Sequence, residues 1–114
     1  MKVKDYSFGS ITIDDKTYGK DLMIDNGSIK KRNKEVSKKY SEDFGHTPLS
    51  VEENIPWNCK HLVVGNGFSS RLPVMEDVRN TAVQKGVDLV VMSTREAIKH
   101  LNDPETNLVL HLTC

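Results

Sequence analysis

The sequence predicts an α/β fold: an N-terminal antiparallel meander followed by a βαβαβ half. Three observations carry this. The first third alternates large apolar with small or polar residues between tight-turn signals. In the second half, apolar runs of strand length recur at Leu62-Val63-Val64, Val87 to Met92 and Leu108 to Leu112. Segments with apolar residues at helical spacing separate those runs. A chain of 114 residues fits one core, so residues 1–114 are read as a single domain.

Composition narrows the function classes. Sixteen basic and sixteen acidic residues cancel, where a nucleic-acid protein usually shows a basic excess, so nucleic acid is not the expected partner. The two cysteines, Cys59 and Cys114, form no CxxC, and no Cys/His group has zinc spacing. Neither a metal nor a cofactor is expected. No secretory signal stands at the N-terminus, and no apolar run approaches the roughly 20 residues that span a bilayer. The expectation is a cytoplasmic protein with no membrane partner.

Residues 5–13 read as the first strand, with Tyr6, Phe8, Ile11 and Ile13 large and Gly9 making room for a bulge. Asp14-Asp15-Lys16 is a turn, and Thr17 to Ile24 a second strand. Asp25-Asn26-Gly27 is a tight turn, because Asn-Gly tolerates positive φ. A polar third strand is expected from Ser28 to Val36, at a sheet edge, and residues 37–49 as loop. Ser50 and Glu53 have capping-box spacing, so a short helix should follow and stop at Pro56.

From residue 61 the pattern changes. A strand at 61–65 runs into a glycine turn. Pro73 suits a first helical turn, and Val74, Met75, Val78, Ala82 and Val83 form an apolar face as far as the stop at Gly86. Val87 to Met92 is the next strand. Ser93-Thr94-Arg95-Glu96 is a second capping box, with Ala97, Ile98 and Leu101 inward and Asn102-Asp103-Pro104 ending the helix. Leu108 to Leu112 closes the chain's pattern. Short strand–helix–strand units favour right-handed parallel crossovers with strands buried on both faces.

The stretch with most functional interest is the turn Gly65-Asn66-Gly67-Phe68-Ser69-Ser70. It supplies the first two glycines of a dinucleotide fingerprint, but the third position is Ser70, and Asp88 stands at the start of its strand where an acidic residue is wanted at the end. No Lys-Ser/Thr pair makes it a phosphate loop. A small-residue turn at the carboxyl end of a parallel strand is either a plain turn or an anion or small-molecule site. Thr94 opens the next helix at the same sheet edge, as a cap or as part of a shared rim. His46 lies in the polar loop beside Thr47-Pro48. His111 and Cys114 are three apart, on opposite faces of an extended strand, which disfavours a metal pair. The basic run Lys30 to Lys39 reads as a solvated edge that blocks strand pairing, with RNA or phosphate binding as the minority reading. Trp57, after Pro56, is a lid or an interface residue.

These stretches together resemble the small Mth-type domain family. The residues are Phe8-Gly9-Ser10-Ile11, Arg32 with the basic run to Tyr40, His46-Thr47-Pro48-Leu49-Ser50, Gly65-Asn66-Gly67 with Leu72-Pro73-Val74, Thr94-Arg95-Glu96-Ala97 with Asn102, and His111-Leu112-Thr113-Cys114. That family includes adipogenesis-associated domain proteins, a mitochondrial complex I assembly factor and short archaeal and bacterial proteins, which this chain looks most like. The resemblance implies a three-layer α/β fold with a central mixed sheet and a groove near the glycine turn. It supplies no reaction. Many members have a Gly-Arg pair before the last strand, where Thr106-Asn107 stands here.

The leading expectation is therefore a non-enzymatic binding or assembly-type domain. Its small-ligand or anion-binding groove would be formed by Gly65, Asn66, Gly67, Ser69, Ser70, Thr94 and His46, and its partner would be a small anion, another protein or a second copy of itself. The alternative is an enzyme acting on a small anionic substrate through His46 or Cys114. Weak RNA binding through Lys30–Lys39 ranks third.

Overall fold

The computed structural model describes residues 1–114. Its strands fall into two sheets. β1 (Val3–Ser7), β2 (Ser10–Ile13) and β3 (Lys16–Tyr18) form a small antiparallel meander. β4 (Leu22–Asp25), β5 (Ser28–Lys31), β6 (His61–Gly65), β7 (Asp88–Met92) and β8 (Thr106–Leu110) form the larger sheet, in the order β5-β4-β8-β6-β7. β8 runs antiparallel to β4 and parallel to β6, and β6 runs parallel to β7, so this sheet is mixed as expected.

Strand alternation places the sheet between two cores. Leu22, Ile24, Val63, Leu108 and Leu110 face one side, where they meet Ile11 and Ile13 of β2 and Ala97 and Leu101. Met23, Leu62, Val64 and Val109 face the other, against Val78 and Ala82 and the loop residues Leu49, Ile55 and Leu72. The layers are thus the meander with α3 (Thr94–Ala97), the mixed sheet, and α2 (Glu76–Lys85) with the 49–57 loop.

Several elements depart from the sequence reading, each for a local reason. The first strand is two: Gly9, at φ +80°, makes a hairpin between β1 and β2, and the irregularity in pairing lies between Val3 and Asp5. The second strand breaks at Gly19-Lys20-Asp21, so β3 and β4 belong to different sheets. The third strand stops at Lys31, because the Arg32 side chain turns inward and is 3% exposed. A short 3-10 helix (Lys34–Tyr40) and α1 (Ser41–Phe44) then occupy the stretch expected to be strand end and loop.

No helix follows Ser50. Ser50 and Glu53 do close on each other, with the Glu53 N–H donating to the Ser50 carbonyl at 3.2 Å and the Ser50 N–H to Glu53 Oε2 at 3.4 Å, but Arg32 holds the same carboxylate and the chain makes only a turn. α2 begins at Glu76, since residues near Pro73 are extended in a parallel bridge between Leu49 and Val74. Val83 is 81% exposed and not part of the apolar face. The Gly86 stop is in the left-handed region as read, and Ser93 caps α3 by accepting the Glu96 N–H at 3.3 Å.

Candidate functional site

The glycine turn lies at the carboxyl end of β6, beside the first turn of α3. Its amides are engaged within the protein. The Phe68 N–H donates to the Thr113 carbonyl at 2.8 Å, and the Ser69 and Arg71 N–H groups donate to the Cys114 main-chain oxygen at 3.1 and 3.0 Å. The Gly67 N–H donates to Thr94 Oγ1 at 2.9 Å, and that hydroxyl donates to the His111 carbonyl at 2.6 Å. Gly67 has φ +118°, and a Cβ there would meet the Cys114 oxygen at 2.6 Å. A Cβ on Gly65 would meet the Thr94 Cα at 2.9 Å. Close backbone approach therefore requires glycine at both positions.

Gly65, Gly67, Ser69 and Thr94 are thus brought together, around residues 111–114 of the same chain. Asn66 binds the Met92 carbonyl through its N–H, while its side-chain oxygen is buried without a partner. Ser70 takes φ +58° at the bend that returns the chain toward Leu72. His46 is exposed after α1, and its side chain makes no hydrogen bond or ion pair.

A buried ionic network stands on the other side of residues 111–113. Arg32 Nε and Nη2 donate to Glu53 Oε1 and Oε2 at 2.6 and 2.9 Å, Nη1 to Asp21 Oδ2 at 2.9 Å, and Nη2 to the Pro48 carbonyl at 2.9 Å. Ser37 donates to Glu53 Oε2 as well. Asp21 Oδ1 accepts the Leu112 N–H at 2.9 Å, and Oδ2 lies 2.7 Å from His111 Nδ1. The His111 Nε2 lies 3.4 Å from Thr113 Oγ1.

Burial opposes ionisation of Asp21. The hydrogen bond and charge of His111, the Leu112 amide and Arg32 outweigh it and hold the carboxyl below its ordinary value. Burial likewise opposes the Arg32 charge, and Glu53 and Asp21 outweigh it.

A cavity of about 550 Å³ opens over this network. Asp21, Arg32 and Thr113 lie in its wall, and Lys20, Lys31, Lys34 and Lys38 stand around it. Lys38 pairs with Glu35 at 2.9 Å, while Lys20, Lys31 and Lys34 form no ion pair. Part of the basic run, read from sequence as a solvated edge, thus lines a concavity. Neither His46 nor Cys114 lines it.

Other candidates are accounted for locally. Cys59 and Cys114 are free thiols, and burial pushes the Cys59 thiol up. His61 and His100 lie against Asp88 and Asp103 at 3.2 and 2.7 Å. No cluster of three or more His, Cys, Asp or Glu side chains is placed to hold a metal ion. Asn107, where relatives were expected to carry arginine, is 1% exposed and ties together Asn26, Pro56 and Asn58. Trp57 is half-buried against the second core. The exposed aromatics are instead Phe8, Phe44 and Phe68; the rings of Phe8 and Phe68 meet at 5.8 Å, with the Arg95 guanidinium 5.5 Å from the Phe68 ring.

Residues 3–104 match the model of a family described as a protein of unknown function, DUF498/DUF598. The chain belongs to this family. Among solved structures, it superposes on conserved hypothetical protein PH1505 from Pyrococcus horikoshii OT3 with a TM-score of 0.82, at 25% identity and over 100% of both chains. It is also similar to a protein called MT938, with a TM-score of 0.72 at 23% identity, over 98% of this chain and 97% of that one. A third structure, described as an outer membrane protein from Bartonella henselae, has a TM-score of 0.66 at 16% identity, over 98% and 94% of the two chains. These likenesses bear on the fold. No helix of this DUF498/DUF598 member is long and apolar enough to cross a membrane.

Proposed function

We propose that this protein binds a small anionic ligand, bearing phosphate or carboxylate groups, in the cavity between Gly19–Asp21 and the basic segment from Lys31 to Lys38. The observation that carries the reading is the convergence of Lys20, Lys31 and Lys34 on a concave surface, none of them in an ion pair, with Glu35 in the same wall paired to Lys38. Four lysines and Arg32 outnumber Asp21 and Glu35 in this lining, and a concavity with an excess of one sign of charge concentrates counter-ions. Arg32 is not the recognition group, since Glu53, Asp21 and Pro48 already engage it.

In this reading Gly65, Asn66, Gly67, Ser69, Ser70 and Thr94 serve the ligand indirectly. Gly65, Ser69 and Thr94 bond to residues 111–114, and with them hold the Thr113 wall of the cavity, while Asn66, Gly67 and Ser70 shape the turn. His46 has no part in it. Within the family we place the chain with the small Mth-type members, on the motifs quoted above. We place its work in the cytoplasm, a setting that suits two unpaired thiols.

Titration with inorganic pyrophosphate by calorimetry tests the proposal. Binding that weakens with added salt and in Lys31→Glu/Lys34→Glu is expected. No heat of binding at low salt refutes it. A protein partner or second copy is the other reading, favoured by the exposed Phe8–Phe68 pair. Sedimentation of the native chain and of Phe8→Ser would show it as association lost in the variant.

A further inference from the structure

We propose that Thr113 is a nucleophile, activated by His111 and Asp21, for acyl transfer from a small anionic ester. The inference rests on the anion-binding reading only for the choice of substrate charge. Its own basis is the connected row of three side chains. Asp21 Oδ2 lies 2.7 Å from His111 Nδ1, and His111 Nε2 lies 3.4 Å from Thr113 Oγ1.

The carboxylate partner selects the tautomer of the neutral imidazole. An ionised carboxylate only accepts, so Nδ1 carries the hydrogen, and the lone pair of the neutral imidazole is at Nε2, toward the hydroxyl. Asp21 is itself held by the Leu112 N–H and by Arg32, which keeps the imidazole oriented. Hydroxyl, imidazole and carboxylate in this order make the arrangement that activates an alcohol for acyl transfer on several unrelated folds. The hydroxyl-to-imidazole distance is longer than a tight hydrogen bond, as is common before substrate binds.

Thr113 also has the right exposure. It lies in the wall of the 550 Å³ cavity together with Asp21. Its methyl group faces the Gly9 side of the molecule, since a Cβ added at Gly9 would lie 3.9 Å from Thr113 Cγ2. Its carbonyl is held by the Phe68 N–H, so the residue is fixed on both sides. Gly19 and Lys20 lie in the same wall, and their main-chain N–H groups make no hydrogen bond within the protein, which leaves them free to donate to a developing oxyanion.

The step balances without a further reagent. Thr113 Oγ1 forms a bond to the acyl carbon as its proton passes to His111 Nε2. The ester C–O bond breaks, and the alcohol leaves with that proton. Water, deprotonated by the same nitrogen, then attacks the acyl-threonine, and the Thr113 hydroxyl is regenerated as the carboxylic acid departs.

Mono-4-nitrophenyl succinate, an activated ester with one carboxylate, is the probe. The native protein should release nitrophenolate over many turnovers and show a succinyl adduct on the peptide containing Thr113 in quenched samples. Thr113→Val, which keeps the shape of the side chain, should lower kcat by about 100-fold or more, and Thr113→Ser should restore turnover. His111→Gln should lower kcat similarly and flatten its pH profile. An unchanged rate in folded Thr113→Val, or adducts on lysines alone, overturns the proposal. If the native protein binds pyrophosphate but does not turn over the ester, the nucleophile falls and the anion site stands. Turnover that needs Thr113 without pyrophosphate binding would sink the anion site and keep the nucleophile.

Discussion

The Arg32 guanidinium grips Glu53 through two parallel hydrogen bonds, 2.6 and 2.9 Å long, with side chains 1% and 0% exposed. This pair joins the end of β5 to the loop after Leu49. It also positions Asp21, which shares the same guanidinium.

Removing the cation should be costly. Arg32→Ala strands Glu53 and Asp21 in the interior, and loss of one partner of a buried pair costs about 3–5 kcal/mol. Urea unfolding should show a lower midpoint for Arg32→Ala, and a smaller loss for Arg32→Met/Glu53→Leu, in which Glu53 is not left behind and Asp21 keeps His111 and the Leu112 N–H. Equal losses would mean that the pair itself, not the orphaned charge, supplies the stability.

Asp21 gives the protein an acid limb. Its folded-state pKa lies below the ordinary 3.8, so the native state binds its proton less readily than the unfolded chain does. The associated stability is complete above the unfolded value and is lost as pH falls through the folded one. The stability gap between native protein and Asp21→Asn should therefore be constant near neutrality and narrow below about pH 4. Denaturant titrations at stepped pH measure it, and a gap that widens with acid contradicts the assignment.

Much of the architecture could be read from the sequence, and the errors have physical causes. Two-residue alternation in Leu22-Met23-Ile24 and Leu108-Val109-Leu110 is what divides the two cores. The Ser93 cap and Gly86 stop are local and were legible. The network was not, because its partners are 11, 21 and 90 residues apart. Arg32 looked like one more cation in a solvated run, and Glu53 like half of a capping box. The alternation rule that sets His111 and Cys114 on opposite faces also puts His111 and Thr113 on the same one. That signal was present, but Asp21 gave it meaning only in the folded chain. The glycine turn reads from sequence as a plain turn or an anion site, and amides along it are taken by the main-chain oxygens of Thr113 and Cys114, far from it in sequence.

Gly67→Ala should destabilise the protein by at least roughly 1–2 kcal/mol, from positive φ alone, with the collision against Cys114 adding to it. Thr94→Val keeps the volume but removes the hydroxyl between the Gly67 N–H and the His111 carbonyl. A loss of about 1–3 kcal/mol is expected from the unpaired buried groups. Thermal denaturation followed by circular dichroism checks both.

Reversing two cations should act on binding and spare the fold. Lys31→Glu/Lys34→Glu removes two exposed ammonium groups that make no ion pairs. Pyrophosphate affinity should fall by about 10-fold or more, as expected for losing charged hydrogen bonds worth about 1.5–3 kcal/mol each. The unfolding midpoint should barely move. A fall in affinity that merely tracks a fall in stability would count against a direct contact.

β8 is the last strand in sequence, yet it lies at the centre of the large sheet, between β4 and β6. As the chain is synthesised, β4-β5 can close as a hairpin and β6-β7 as a parallel pair, but the two have no common edge until residues 106–110 arrive. The nascent protein therefore waits with two open strand edges, and the final strand joins them in one event. Such late, non-local closure makes for slow folding and a window of vulnerability to aggregation. A ribosome stalled before this strand would hold two unfinished half-sheets.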